Sequence, residues 1–268
     1  MNWGITCFFE NRKDFEMVAE MAPDYPLKYL EIRGERPFFS PEDLTAPDLQ
    51  FFRDVIHRSG LRVTVHSTFY DVNLATINSY LRRANMDCYK KYLDLCQEIG
   101  AEIMAVHAGM LHRDAAGIPR LMEIASQNLV ENLQELGEYG ERRGVKIALE
   151  NSPPNPNWLM VSNWESQIAM LQKVNHANVG ALFDTAHAFL QGLDISPYFN
   201  EIRDYLFEIH THNNNGKQDL HWGMKNGAID YLPFFRANKI EVPIIMEIHN
   251  LQEAVESLEW IRQFEEDG

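Results

Sequence analysis

Lysine and arginine are scarce in this chain: 24 of 268 residues, against 39 Asp and Glu, for a formal net charge of −15 at pH 7. That sign works against the attraction that clustered Lys and Arg exert on phosphate backbones, so nucleic acid is a disfavoured partner. Screening over roughly 8–10 Å still leaves room for a local basic groove or a metal-bound phosphate. Cysteine is rare as well. Cys7, Cys88 and Cys96 make an odd set without CxxC spacing, and the last two fall in a helical pattern, which excludes a disulfide framework. No apolar run is long enough to cross a bilayer, and MNWGITCFFENRKD lacks the basic stretch and apolar run of a signal peptide. The expectation is a reduced, cytoplasmic protein that meets no membrane. There is no GxGxxG after the first strand and no GxxxxGK[ST], so the usual nucleotide folds lack their phosphate loops. No linker or shift in composition divides the chain, and one domain is expected over 1–268.

What is present is enough apolar residue, 45%, to build a sizeable core. Short apolar runs alternate with longer amphipathic segments from end to end. Strands are predicted at 3–8, 28–33, 62–66, 102–107, 146–150, 179–184, 206–212 and 242–247. Helices are predicted at 11–22, 47–59, 77–99, 119–143, 162–174, 197–205, 231–238 and 251–264. Gly60, Gly100 and Gly144 stand where helices should stop, and Ser162 can cap the fifth. Eight strand–helix repeats in about 250 residues predict an α/β fold, a single (β/α)8 TIM barrel, in preference to an open doubly wound sheet.

Strands three to eight each end in a group able to bind metal: His66, His107, Glu150, Asp184, His212 and Glu247. A lone histidine or aspartate at a strand end is usually solvated or capping. Six in succession are different, because a barrel brings these ends to one mouth, where active sites of this fold are built. Imidazole mixed with carboxylate suits zinc, manganese, cobalt or iron better than calcium.

In FEIHTH, the residues Glu208, His210 and His212 share one face of the strand. His212, nearer the rim, is the better ligand; His210 lies deeper, as a substrate contact or a hydrogen-bonded core residue. His187 in DTAHAF, with Asp219 and His221, forms a second constellation, either a separate metal site or a hydrogen-bonded clamp. His57 and His176 read as surface residues, and His112 and His249 as loop positions. Phe69 and Trp222 can wall the mouth, and Lys217 is either a solvent-facing loop lysine or a contact to a substrate phosphate or hydroxyl.

From strand three onward these motifs resemble the xylose isomerase-like barrels, which include sugar isomerases, sugar epimerases and endonuclease IV. The resemblance rests on VHSTFYDVNLATIN, EIGAEIMAVHAG, ALEN, FDTAHAF, HTHNNNGKQDLHWGMKNGAID and IIMEIH. It implies that Glu150, Asp184, His212 and Glu247 hold a principal divalent metal, zinc or manganese. It further implies that His66 and His107 bind another metal bridged by Glu150, and that His187, Asp219 and His221 bind a third, so that a chain carries one to three ions.

Two reactions follow from the resemblance. In the first, a sugar or sugar phosphate is isomerised or epimerised through a metal-stabilised enediolate, with Glu150 and Glu247 as the acid–base pair. In the second, metals activate a water against a phosphodiester, as in an abasic-site endonuclease. The endonuclease branch has an Asn-Asp pair after its seventh-strand histidine, whereas Asn213, Asn214 and Asn215 stand here, and its DNA-gripping loops are not recognisable. The first reading is therefore preferred, with a small-molecule substrate and self-association left open.

Overall fold

A computed structural model describes residues 1–8 and 11–266. Eight parallel strands close on themselves: β1 Trp3–Cys7, β2 Leu27–Arg33, β3 Arg62–His66, β4 Ile103–His107, β5 Lys146–Glu150, β6 Val179–Asp184, β7 Leu206–Thr211 and β8 Ile244–Ile248. Each pairs with the next in the chain, and β8 pairs with β1 in register from Trp3 opposite Ile244 to Cys7 opposite Ile248. Closure leaves the barrel without an open edge.

Long helices cover the outside: α1 Arg12–Glu20, α2 Ala46–Ser59, α3 Ser79–Ile99, α4 Pro119–Glu141 and α5 Trp164–Val174. The circuit is completed by α6 Thr185–Leu190, α7 Ile195–Ile202, α8 Leu232–Ala237 and α9 Leu251–Glu266. The main core lies between strands and helices and includes Trp3, Phe15, Leu30, Phe52 and Ile261, all fully buried. A smaller apolar cluster of Ile103, Ala105, Ala148 and Leu182, with Phe207 against it, fills the lower barrel interior. A Cβ on Gly180 would stand 2.7 Å from the Phe207 ring, so only glycine admits that ring.

Local chemistry moved several expected boundaries. Asn78 accepts from the backbone N–H groups of Tyr80 and Leu81, so α3 begins at Ser79 rather than 77. Asn163, not Ser162, caps α5, accepting from the Ser166 N–H while the Ser166 hydroxyl accepts in return from the Asn163 N–H. Asp184 caps α6, a helix that was not expected; Gly192 then ends the turn at φ 75° before α7 starts at Ile195 rather than 197. Strand β8 starts at Ile244, after Pro243, which has no N–H to donate. Gly60 and Gly100 end their helices in the left-handed conformation as expected. His57 and His112 are exposed, but His176 is half-buried, close against Gly137, rather than on the surface.

Cys88 and Cys96 are both free, and the side chain of Cys7 is outside the described residues. Among the described residues no helix is long and apolar enough to cross a membrane.

Candidate metal centre

The strand ends deliver their side chains to one mouth, in three overlapping groups. In the first, His66 Nε2 and His107 Nε2 lie 3.3 and 3.0 Å from the same oxygen of Glu150, Oε2, and 3.2 Å from each other. His107 and Glu150 are register partners on β4 and β5, and His66 reaches in from β3. In the second, His212 Nε2 is 3.4 Å from Asp184 Oδ2, and Glu247 brings a carboxylate oxygen within 4.8 Å of both.

The third group is His187, His212, Asp219 and His221. His187 Nε2 and His221 Nε2 lie 3.2 and 3.4 Å from Asp219 Oδ2, and His212 Nε2 lies 3.4 Å from Asp219 Oδ1. The structure brings His187, Asp219 and His221 together as the sequence suggested and adds His212 to them. The Asp219 carboxylate faces His212, and His187 Nδ1 is 3.2 Å from Glu150 Oε1, because α6 starts directly at the strand end and swings His187 back over the mouth.

The donor chemistry fits divalent cations. His66, His187 and His221 each place Nδ1 on a backbone carbonyl, of Ser67, Asn151 and Glu247, at 2.9, 2.8 and 3.1 Å. A carbonyl can only accept, so Nδ1 carries the proton and, in a neutral ring, Nε2 presents a bare lone pair. Each of those Nε2 atoms faces a carboxylate oxygen, which also has only lone pairs to offer. Such a contact needs a proton or a metal cation between its partners. Buried Glu150 Oε1, Asp184 Oδ2, Asp219 Oδ1 and both ring nitrogens of His212 have no hydrogen-bond partner within the protein. Atoms of that kind are costly to bury unless something binds them.

Electrostatics carry the same message. Burial opposes ionisation of Glu150, but the charge of His107 and the imidazoles of His107, His187 and His66 gathered around it outweigh burial and hold the carboxyl well below its usual range. Glu247 is likewise held low against burial by His221, His210 and Arg33. The reciprocal effect raises the histidines: burial works against His187 and His210, but Asp184 and Asp219 lift the first, and Glu31 and Glu247 the second, well above the ordinary imidazole value.

Beneath the rim, His210 Nε2 lies 3.2 Å from Glu31 Oε2 and its Nδ1 3.5 Å from Glu247 Oε2, so this ring stands between the two carboxylates. Thr64 Oγ1 donates to the same Glu31 oxygen at 3.2 Å. Glu208, fully buried, has its carboxyl pushed well above the usual range by burial and then by Glu31.

The mouth encloses a cavity of about 70 Å³, lined by Arg33, Phe69, Glu150, His187, His221 and Glu247 among others. Phe69 stacks on His107 at 4.6 Å, as an apolar wall should. Trp222 does not line the cavity; its backbone pairs with that of Asn213. His249 stacks on His221 at 4.5 Å, and burial with the nearby charges of His221 and Arg33 lowers it to about 4. Lys217 is exposed and is not among the lining residues, and its backbone N–H donates to the Asn215 side chain.

Glu31 and Arg33 were missed in the sequence. The signal was there: in LKYLEIR, Tyr29, Glu31 and Arg33 share one face while Leu30 and Ile32 share the other. In a barrel both faces are buried, and charges at alternate positions mark the interior.

Fold and site together define a (β/α)8 barrel with a His/carboxylate cluster at the C-terminal ends of its strands. Residues 19–264 match the family model of the xylose isomerase-like TIM barrel, and the chain belongs to that family. A fructoselysine 3-epimerase of Escherichia coli O157:H7 is 26% identical over 228 residues, 83% of this chain and 80% of that protein. A probable endonuclease 4 of Mycobacterium leprae is 25% identical over 216 residues, 78% of this chain and 81% of that protein. The crystal structure of a D-tagatose 3-epimerase-like protein superposes with a TM-score of 0.86 at 22% identity, covering 100% of this chain and 98% of the other.

Proposed function

We propose that this protein is a divalent-metal-dependent isomerase or epimerase of a small sugar or sugar phosphate, moving a proton on the carbon next to a carbonyl. The observation that carries the reading is the set of Nε2 lone pairs aimed at carboxylates inside an enclosed cavity of about 70 Å³. That volume takes the reacting end of a sugar, a few atoms the size of water. The similarity to a fructoselysine 3-epimerase supports the choice of chemistry.

Glu150, Asp184, His212 and Glu247 would hold the principal ion, zinc or manganese. His66 and His107 with Glu150, and His187, Asp219 and His221, offer further positions. When bound, the metal supplies Lewis acidity that polarises a carbonyl and acidifies the neighbouring C–H.

The protein's own part is proton handling. Glu150 enters the cavity from β5 and Glu247 from β8, both ionised at neutral pH, so either can accept a proton from carbon and return it. His210 and His221 flank the Glu247 carboxylate, and His66 and His107 flank that of Glu150, which limits where each carboxylate can reach. Phe69 closes one side of the cavity against water.

The test is incubation of the metal-loaded protein with a panel of ketoses and aldoses in deuterated water. Solvent deuterium should enter the substrate carbon that changes configuration. A panel without exchange would sink the proposal.

A second reading, phosphodiester hydrolysis, is supported by the sharing of Glu150 and His212 between groups and by the similarity to a probable endonuclease 4. Its test is incision of abasic-site DNA without deuterium exchange into sugars. The net charge of −15 weighs against it.

A further inference from the structure

Arg33 is a charged group that no acceptor of the mouth engages. It sits at the end of β2, 6% exposed, and its Nε and Nη1 have no hydrogen-bond partner. Among the described residues it makes no ion pair, although Glu247 is near enough to be lowered by its charge. Arg36, three positions on, is fully engaged by Glu42 and Asp43. The two arginines of this segment thus have opposite status, one exposed and neutralised, the other buried and free.

The setting of Arg33 is built rather than incidental. Its guanidinium carbon lies 3.5 Å from the centre of the Phe8 ring, with Phe69 on another side at 5.7 Å. Aromatic faces hold a guanidinium flat without consuming its N–H donors, which stay available in the plane of the fork. The group lines the cavity of about 70 Å³ with Glu150 and Glu247, and it also lines a pocket of about 520 Å³ with Phe8, Glu35, Arg36, Pro37, Phe38 and Tyr70, where the Glu35 carboxylate already accepts from the Thr68 hydroxyl and the Phe69 N–H. It stands where the reacting end of a substrate meets the rest of it.

We infer that Arg33 receives an anionic oxygen group of the substrate, a carboxylate or phosphate, and so selects acidic ketoses over neutral ones. A planar fork with free donors matches the paired oxygens of such a group, and a buried, unpaired cation is costly until they arrive. The inference rests on the proposed sugar isomerase or epimerase activity, and it assigns the anion to Arg33 rather than to the exposed Lys217.

The experiment compares free ketohexoses, their phosphate esters and the ketoses carrying a terminal carboxylate, by deuterium exchange with the metal-loaded protein. One acidic set should exceed the neutral set in kcat/KM by at least about 100-fold, as two charge-assisted hydrogen bonds imply; which set does so separates phosphate from carboxylate. Arg33→Gln should collapse that ratio, chiefly through KM, and Arg33→Lys should restore part of it. Equal use of neutral and acidic ketoses by the unaltered protein, or a ratio that survives Arg33→Gln and is lost in Lys217→Met, would overturn the role of Arg33 and leave the isomerase reading standing. If no ketose exchanges, the isomerase reading falls, and titration calorimetry with inorganic phosphate and with acetate still decides the anion site. Affinity for one of them should drop at least about tenfold in Arg33→Gln, and unchanged affinity for both would overturn the site.

Discussion

The ion pairs on the outer wall and the charged groups in the mouth are built from similar residues with opposite consequences. Outside, Arg62 faces Glu102, Arg12 faces Asp48, and Arg36 faces Glu42 and Asp43, each cation with its anion and each at least partly open to water. Water would serve those groups nearly as well, so the pairs add little. In the mouth, Glu150, Asp184, Asp219 and Glu247 meet a set of histidines and a single arginine, with oxygens and nitrogens buried and unpartnered. There the burial that raises an uncompensated charge in energy also raises its affinity for a cation. The outer wall is complete as folded; the mouth is completed by what it binds.

The largest effect that would break this contrast is at the proposed proton-transfer pair. Glu150→Gln and Glu247→Gln each preserve shape and remove a charge, and each should lower turnover at least about 1,000-fold in steady-state assays. A loss under tenfold in both would move proton transfer elsewhere.

Next comes metal. Chelation should lower the melting midpoint by roughly 5–10 °C, since a ligand at 100 times its Kd contributes about 2.7 kcal/mol. Excess zinc or manganese should restore the midpoint. The affinity should rise with pH, because His66, His187 and His221 are raised and hold protons that a metal must displace. Each proton displaced adds up to about tenfold per pH unit. The metal-free protein should show the reverse trend from these histidines. Their contribution is fully present below the unfolded imidazole value of about 6.5 and is lost as pH rises through the raised folded values. Calorimetric metal titrations and melting curves at several pH values check both signs.

The smallest effect belongs to the outer wall. Arg62→Ala or Glu102→Ala should change stability by under about 1 kcal/mol and leave turnover and metal content unchanged. A larger effect would blur the contrast drawn between wall and mouth.

Much of this was visible in the chain. Six successive strands ending in His66, His107, Glu150, Asp184, His212 and Glu247 could be read because the barrel rule places strand ends together without any distance being known. The division into groups could not. His66 lies opposite Arg33 on one neighbour and Ala105 on the other, while Asp184 lies opposite His210, and these registers depend on the stagger that closure imposes. Glu31 and Arg33 were hidden because β2 ends in Arg, which binds no metal, so the pattern seemed to begin one strand later. Lys217 could be read two ways, as a substrate contact or a solvent-facing loop lysine, and its exposure in the fold agrees with the second.

The sequence by itself determined the alternation of strand and helix, the closed parallel barrel and the residue types gathered at one end, since periodicity and strand termini are local properties. The tertiary structure decided which lone pairs face each other, that His187, His212 and His221 share the Asp219 carboxylate, and that Arg33 is left buried and unpaired. Those outcomes depend on strand tilt, on a helix that starts directly after Asp184, and on the groups that line a space of about 70 Å³. Such quantities exist only once segments far apart in the chain have been brought together.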